Sequence, residues 1–205
     1  MKKNPTLMLA TILVIVLLAG CTATPPAAAP APAPAAETLK VGFVGGIVHP
    51  FTSAVDNGIK DAAKALGVEV VSQMPESWEP SVQTPMIDAL LSKGDIDLLI
   101  VIPTDKDAMI PVLERVNKAG IPVVTVDTSI GDGVYEAGHP VTFPVSYIGS
   151  DNVEGGRIAG EALAKKLDYK GKVYVQSVTP GISTTDQRLQ GFKEVISKYP
   201  DMSIV

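Results

Sequence analysis

Residues 97–126 read DLLIVIPTDKDAMIPVLERVNKAGIPVVTV, and this stretch decides the fold class. Its two ends are apolar runs of the kind found in strands of parallel sheets, which are buried on both faces. Between these runs, apolar residues recur at the spacing of one helix face: Ile110, Leu113 and Val116. The stretch therefore predicts a strand, a crossover helix over 107–119 and a second strand parallel to the first.

The same alternation continues on both sides of this unit. Further strands are predicted at 39–44, 68–72, 145–149, 172–176 and from near Met202. Further helices are predicted at 52–66, 80–92, 151–167 and 184–198. Strict alternation of strands and helices predicts an α/β protein with a doubly wound parallel sheet. Ligands of such sheets bind beyond the carboxyl ends of the strands, which directs attention to 45–52, 103–105, 127–129 and 150–152.

The first 21 residues have the pattern of an export signal. Lys2 and Lys3 precede an apolar core over 7–18, which is shorter than the ~20 apolar residues of a membrane-spanning helix. The core ends in LAGC, with the cysteine at Cys21, and this resembles the lipobox of bacterial lipoproteins. The resemblance implies that Cys21 becomes the lipid-carrying N-terminus and anchors the protein to the membrane. The alternatives are a cleaved secretory peptide with an incidental cysteine, or a short anchor.

Residues 22–36 consist almost entirely of alanine, proline and threonine. Such a segment has little apolar surface to bury against the entropy of ordering. Proline-rich chains favour an extended conformation of ~3.1 Å per residue, so this segment could hold a domain up to ~45 Å from a lipid surface. We interpret it as a tether between the leader and a folded body that begins at Glu37.

Composition excludes several classes of function. The chain has 22 acidic and 17 basic residues, a net charge of -5, which argues against a nucleic-acid partner. Its single cysteine, Cys21, excludes an internal disulfide and a cysteine-rich zinc site, and its two histidines, His49 and His139, lie far apart. The motifs G-x-G-x-x-G, G-x-x-x-x-G-K-[ST] and G-x-S-x-G are missing from the sequence. No cofactor, metal or catalytic residue is therefore predicted.

Four segments together resemble the ribose-binding family of periplasmic proteins, called type 1: IVIPTD at 100–105, AGIPVVTVD at 119–127, IGSDNVEGGRIAG at 148–160 and QRLQGF at 187–192. The resemblance runs from about Leu39 to the end of the chain. It implies two lobes that close around a sugar and deliver it to the permease subunits of an ABC importer. We assign 37–149 to the first lobe and 150–205 to the beginning of an incomplete second lobe, so that the chain is expected to be a fragment.

The same resemblance implies which residues contact the ligand. Asp127 matches a carboxylate that binds sugar hydroxyls, and Arg188 matches a guanidinium that reaches in from the second lobe. Phe51 matches an aromatic that packs on the sugar ring, and His49 stands at a polar contact position. Thr128, next to Asp127, is included as a contact, although ribose binders have arginine there. Charged groups suit sugar hydroxyls, and aromatic rings suit the C–H faces of sugars.

Other residues near these positions are assigned structural roles. Thr52 stands where ribose binders have a second aromatic, which puts ribose itself in doubt as the ligand. Trp78 is predicted to pack at the periphery. Turn or helix-capping roles are predicted for Asp105, Asp151 and Asn152. Close packing between helices is predicted for Gly155, Gly156 and Gly160.

The sequence thus predicts an extracytoplasmic, lipid-anchored receptor that captures a sugar or sugar-like molecule for an ABC importer and performs no chemistry. One alternative is a receptor of the same fold that presents a sugar or autoinducer to a membrane sensor. A transcription regulator of this fold is disfavoured, because the leader occupies the place of a DNA-binding helix-turn-helix. An enzyme is disfavoured by the missing nucleophile and phosphate motifs.

Overall fold

A computed structural model of the protein describes residues 38–205. The leader over 1–21 with its Cys21, and the tether over 22–36, lie outside the described residues, so these predictions remain predictions. Across 38–205, every helix is too short or too polar to cross a bilayer.

Seven strands and five helices make up the described part of the chain, and they alternate except that β5 follows β4 without a helix between them. The strands are β1 (Lys40–Val44), β2 (Glu69–Gln73), β3 (Leu98–Val101), β4 (Val123–Val126), β5 (Ser146–Ile148), β6 (Gly171–Val173) and β7 (Met202–Ile204). The helices are α1 (Pro50–Leu66), α2 (Pro80–Lys93), α3 (Ile110–Lys118), α4 (Asn152–Lys166) and α5 (Ser183–Ile196). Each predicted strand and helix is therefore present, with bounds that shift by a few residues.

Strands β1 to β5 form one parallel sheet in the order β2-β1-β3-β4-β5. Strand order reverses at β1, because β2 lies on one side of it and β3 on the other. Strands β6 and β7 form a second, two-stranded parallel sheet. The predicted doubly wound α/β architecture is confirmed, and the carboxyl ends of β1, β3 and β4 meet at one edge of the larger sheet.

The main core lies on the face of the larger sheet that α2 and α3 cover. Leu99 and Val101 of β3 are fully buried there, together with Leu113 of α3. Burial alternates along β3, however, and Leu98 and Ile100 on the other face are only half buried. The prediction that this run is buried on both faces is wrong for the second face, where a groove lies beside α1.

Helices α4 and α5 pack closely because glycines stand at their contacts. A Cβ on Gly156 would overlap the carbonyl group of Arg188 and lie 2.9 Å from the backbone nitrogen of Phe192. A Cβ on Gly160 would lie 2.9 Å from Val195. The packing role predicted for Gly156 and Gly160 is confirmed, but that for Gly155 is wrong, since a Cβ there would meet nothing within 4 Å.

The predicted turn or capping roles are confirmed for all three residues, although only Asp151 is a helix cap. Asp151 precedes α4 and its side chain accepts a hydrogen bond of 2.9 Å from the backbone of Glu154. Asp105 accepts 2.8 Å and 2.7 Å bonds from the next turn, which delays the start of α3 to Ile110. Asn152 is the first residue of α4, and its amide donates to the carbonyl oxygen of Ser150 in the preceding turn at 3.1 Å and to Tyr147 at 3.4 Å.

Candidate functional site

A cavity of about 550 Å³ opens where β1, β2, β4 and β6 end. Most of its lining comes from the segments that follow these strands: Ile47, His49, Phe51, Trp78, Asp127, Val178, Thr179, Ile182, Thr184, Thr185 and Arg188. Four of the five predicted ligand contacts line it together. The residues concerned are separated by up to 139 positions in the chain, counted from 49 to 188.

His49 and Phe51 owe their positions to the start of α1. His49 is the N-cap of this helix, and its Nδ1 accepts a hydrogen bond of 3.3 Å from the Phe51 nitrogen. In the neutral ring the proton then lies on Nε2, which leaves one donor for a ligand. Phe51 follows Pro50 in the first turn, and its side chain is half exposed at 50%. The turn thus presents a polar group beside an aromatic ring.

Thr52 completes this helix start and does not line the cavity. It is 1% exposed, and its hydroxyl accepts a 3.1 Å bond from the His49 nitrogen. The same hydroxyl also bonds to the carbonyl oxygens of Ile47 and His49. The resemblance noted in the sequence places a second aromatic at this position, whereas Thr52 closes a capping box with His49.

Asp127 follows β4 in an unusual backbone conformation. Its φ is 61°, and the Thr128 nitrogen donates across it to the Val126 carbonyl at 2.7 Å. An i to i+2 bond of this kind closes a γ-turn, which is rare when the central φ is positive. Aspartate and asparagine tolerate positive φ better than other residues with a Cβ. The turn ends the strand and directs Asp127 into the cavity lining.

The Asp127 carboxyl lies near the Arg188 guanidinium within this cavity. Burial raises the pKa of Asp127, and the nearby positive charge of Arg188 lowers that pKa in part. Within 38–205, however, no ion pair of 4.0 Å or less joins them, and no side chain donates a hydrogen bond to the carboxylate. Both groups are therefore open to a ligand that carries donors and acceptors.

Thr128 is the predicted contact that the structure does not bring to the cavity. It is 1% exposed, and its hydroxyl donates a 2.6 Å hydrogen bond to the carbonyl oxygen of Pro103. The tight turn at Asp127 sends the next side chain inward, between the ends of β3 and β4. Thr128 thus joins two loops of the site, and its placement gives no support to the predicted ligand contact.

Trp78 is a cavity residue that sequence reasoning missed. Its ring lies over Gly46, where a Cβ would overlap the indole. Its Nε1 donates a 2.8 Å hydrogen bond to the carbonyl oxygen of Thr104. The peripheral position predicted for Trp78 is wrong. The available signal was its place after β2, since β2 is the parallel neighbour of β1 and ends at the same edge.

The segment between β6 and α5 closes the cavity from the other side, and it too was missed. This segment and the first turn of α5 contact the loops of the larger sheet through three polar pairs. The Lys106 nitrogen donates to the Gly181 carbonyl at 2.8 Å, and the Ser129 nitrogen donates to the Ser183 hydroxyl at 2.8 Å. Lys106 also forms an ion pair of 2.8 Å with Asp186. These contacts bring Arg188 towards the residues that follow β1 and β4.

The lining combines an anionic acceptor, a cationic donor, an imidazole and two aromatic rings. Charged groups form strong hydrogen bonds with hydroxyls, and aromatic rings pack against C–H groups. Residues 38–205 hold no cluster of three or more His, Cys, Asp or Glu side chains that could bind a metal ion. The geometry suits a small hydroxylated molecule with an apolar face.

Comparison with known proteins finds relatives over most of the chain. Residues 43–205 match the family described as the periplasmic binding protein domain. The ribose import binding protein of Bacillus subtilis (strain 168) is 32% identical over 197 residues, which cover 95% of this chain and 60% of that protein. This chain therefore spans less than two thirds of the length of that relative.

Two solved structures extend the comparison. An ABC transporter solute binding protein from Agrobacterium vitis, bound with alpha-D-tagatopyranose, is 40% identical with a TM-score of 0.77, over 82% of this chain and 57% of that one. The fructose binding periplasmic domain of a hybrid two component system is 27% identical with a TM-score of 0.72, over 82% of this chain and 52% of that one.

Proposed function

Because the chain belongs to the periplasmic binding protein family, we propose that it captures a sugar or sugar-like molecule for an ABC importer. Membership of this family implies a location outside the cytoplasm. The observation that carries the proposal is one cavity that unites Asp127, Arg188 and His49 with Phe51 and Trp78. A charged acceptor and donor that are not paired with each other are suited to the hydroxyls of a sugar.

The proposed ligand lies with one face on the aromatic side chains and its hydroxyls towards the charged groups. Phe51 and Trp78 offer the apolar surface. Asp127 accepts hydrogen bonds from hydroxyls, whereas Arg188 and the His49 Nε2–H donate to them. We assign no catalytic role to these residues, and the proposed function needs no cofactor.

Capture would proceed by closure of two lobes, 37–149 and 150–205, around the ligand. The polar pairs between Lys106 and Gly181 and between Ser129 and Ser183 support this, because they join the sheet edge to the residues just before α5 and to its first residue. Closure would bury the ligand and form the surface that the permease subunits recognise. The lipid on Cys21 and the tether over 22–36 would keep the receptor at the membrane.

A thermal-shift screen of the full-length protein without its leader tests this function. The panel contains D-tagatose, D-ribose, D-arabinose, D-allose and D-fructose, with glycine as the control. A ligand at 100 times its Kd stabilises the folded state by ~2.7 kcal/mol, which raises the Tm by several degrees. We expect at least one sugar to do so. A Tm that no sugar in the panel changes would contradict the proposal.

A second candidate is a receptor that presents the sugar to a membrane sensor. It is favoured by the similarity to the fructose binding periplasmic domain of a hybrid two component system. Uptake of the radiolabelled ligand by cells that lack the gene separates the two functions. Loss of uptake supports the importer, and normal uptake with loss of a ligand-dependent transcriptional response supports the sensor. Neighbouring genes for a permease and an ATPase would also favour the importer.

A further inference from the structure

Gln83 is a polar side chain of α2 that lies in the interior. It is fully buried, with 0% of its surface exposed. Its Nε2 donates to the carbonyl oxygens of Gly45 at 2.8 Å and Ile102 at 2.7 Å. Its Oε1 accepts from the Thr104 nitrogen and hydroxyl, both at 3.1 Å. A side-chain amide has two donors and one oxygen with two acceptor sites, so Gln83 is fully satisfied.

These bonds place Gln83 under the edge of the sheet that carries the cavity. Gly45 follows β1, whereas Ile102 and Thr104 follow β3. Gln83 therefore ties together the two backbone segments at the point where strand order reverses. A buried amide whose partners are all backbone or hydroxyl groups holds those groups in one arrangement, because each would otherwise lose its hydrogen bond.

The same network continues from Thr104 to Trp78. The Thr104 carbonyl oxygen accepts the 2.8 Å bond from Trp78 Nε1, and the indole rests on Gly46, next to the Gly45 that Gln83 also binds. The segment after β3 thus holds the indole at its nitrogen, and the segment after β1 contacts its ring. Gln83 fixes both of these segments.

We propose that Gln83 is a positioning residue of the cavity, which holds Trp78 as a rigid apolar wall through Gly45 and Thr104. The proposal rests on the proposed sugar-binding function and deepens it. Indole has a single polar atom, Nε1, and Thr104 already occupies it. Trp78 therefore offers the ligand only apolar ring surface, so that this side of the cavity selects a C–H face of a sugar and disfavours a hydroxyl.

The first experiment measures Trp78 without any ligand. Trp78 is the single tryptophan of the 205-residue chain, so the intrinsic fluorescence of this chain reports on it alone. In Gln83→Met the volume is kept and the four hydrogen bonds are lost. We expect acrylamide to quench the indole more strongly than in the wild type, by twofold or more, with emission shifted to longer wavelength. Unchanged quenching in folded Gln83→Met would overturn the positioning role.

Ile87→Ala is the matched control for lost stability. Ile87 lies on α2 one turn after Gln83 and is 1% exposed, and its side chain makes no hydrogen bond. We expect this variant to lower the Tm and to leave quenching unchanged. Equal increases in quenching for both variants would also overturn the proposal. If Gln83→Met does not fold, Thr104→Ala removes only the hydroxyl bond to Gln83 and is expected to shift quenching in the same direction.

The second experiment uses D-tagatose as the probe, in calorimetric titrations of the full-length protein. We expect Trp78→Ala to weaken binding tenfold or more, and Gln83→Met to weaken it less. In the double variant the loss should be no greater than in Trp78→Ala alone, since Gln83 acts through a side chain that is already missing. Losses that multiply would show that Gln83 acts elsewhere and would overturn the positioning role in binding.

Failure of the proposed function gives a different result. If the wild type binds neither D-tagatose nor another sugar of the panel, the sugar-binding function and the sugar-facing role of Trp78 both fail. The quenching measurement still decides whether Gln83 positions the indole. If the wild type binds D-tagatose and Trp78→Ala binds it equally well, only the apolar wall is excluded.

Discussion

Tyr147 Oη donates a hydrogen bond to the backbone carbonyl oxygen of Asp127, with 2.7 Å between the two oxygens. The Tyr147 hydroxyl lies over Gly149, where a Cβ would overlap it. Burial raises the pKa of Tyr147, and the negative charge of Asp127 raises it further, so the hydroxyl keeps its proton at neutral pH. The neighbouring strand β5 thus supplies a permanent donor that supports the strained turn at Asp127.

Removal of this donor is expected to loosen the turn. Tyr147→Phe leaves the Asp127 carbonyl without this partner, so we expect a loss of about 1 kcal/mol in the free energy of unfolding. Sugar affinity should fall several-fold, because the carboxylate is less well held. Urea denaturation and calorimetry measure the two effects. Tyr174→Phe is the control, since Tyr174 is 71% exposed; an equal loss there would contradict the role of Tyr147.

Asp127→Asn is expected to separate binding from stability. Asparagine tolerates positive φ as aspartate does, whereas alanine at a φ of 61° would add backbone strain. Removal of a charged hydrogen-bond acceptor weakens binding by ~1.5–3 kcal/mol, or about 10- to 150-fold, and asparagine should lie near the lower end. The control is Asp61→Asn, an exposed position on α1. Unchanged affinity with a large fall in Tm would make Asp127 a structural residue.

Asp127→Asn also tests a predicted pH dependence in the stability of the ligand-free protein. The folded pKa of Asp127 is raised above its ordinary value of 3.8 by burial. As pH rises, the Asp127 carboxyl therefore loses its proton in the unfolded chain before it does so in the folded protein. The free energy of unfolding falls over this range, until the carboxyl is also deprotonated in the folded protein. Asparagine does not titrate. The Tm of Asp127→Asn minus that of the wild type should therefore become more positive between pH 4 and pH 7, and a constant difference would contradict this.

Two adjacent glycines of α4 should respond in opposite ways to alanine. Gly156→Ala places a methyl group against the backbone of α5, and overpacking of this kind costs about 1–3 kcal/mol. Gly155→Ala meets nothing within 4 Å and should gain up to ~1 kcal/mol from helix propensity. Urea denaturation of the two variants measures the contrast. Equal stabilities would show that α4 and α5 do not depend on this close approach.

The predicted lipid anchor is tested at Cys21. Cys21→Ser should remove incorporation of a fatty-acid probe and either release the protein from membranes or leave it as an unprocessed precursor. Metabolic labelling followed by membrane fractionation measures both outcomes. If wild type and variant incorporate the probe equally, the sulfur and amine of Cys21 are not the site of lipidation.

Local patterns in the sequence predicted the fold well because each element carries its own signal. Apolar runs such as 98–102, and the helical spacing of apolar residues after them, can be recognised from the sequence alone. The resemblance supplied Asp127 and Arg188 as candidates, and the structure brings both to one cavity.

Features that depend on contacts between distant segments could not be predicted from local sequence patterns. Trp78 stands in a polar loop without periodicity, and its place in the cavity depends on the pairing of β2 with β1. The direction of the Thr128 side chain depends on the positive φ of Asp127, which the amino-acid sequence does not reveal. Ile100 is only half buried because of how the helices pack on its face of the sheet. The apolar run indicates that burial of this side chain is favourable, but it does not indicate which element buries it.

If the proposed sugar-binding function holds, the backbone of Asp127 also limits how this protein can acquire new ligands through mutation. A positive φ disfavours residues other than glycine, asparagine and aspartate by about 1–2 kcal/mol, so glutamate is a poor replacement although it carries the same charge. His49, by contrast, has an extended backbone with φ -153° that any residue adopts. We therefore expect diversification of specificity to proceed through the start of α1, while position 127 retains aspartate or asparagine as the ligand changes.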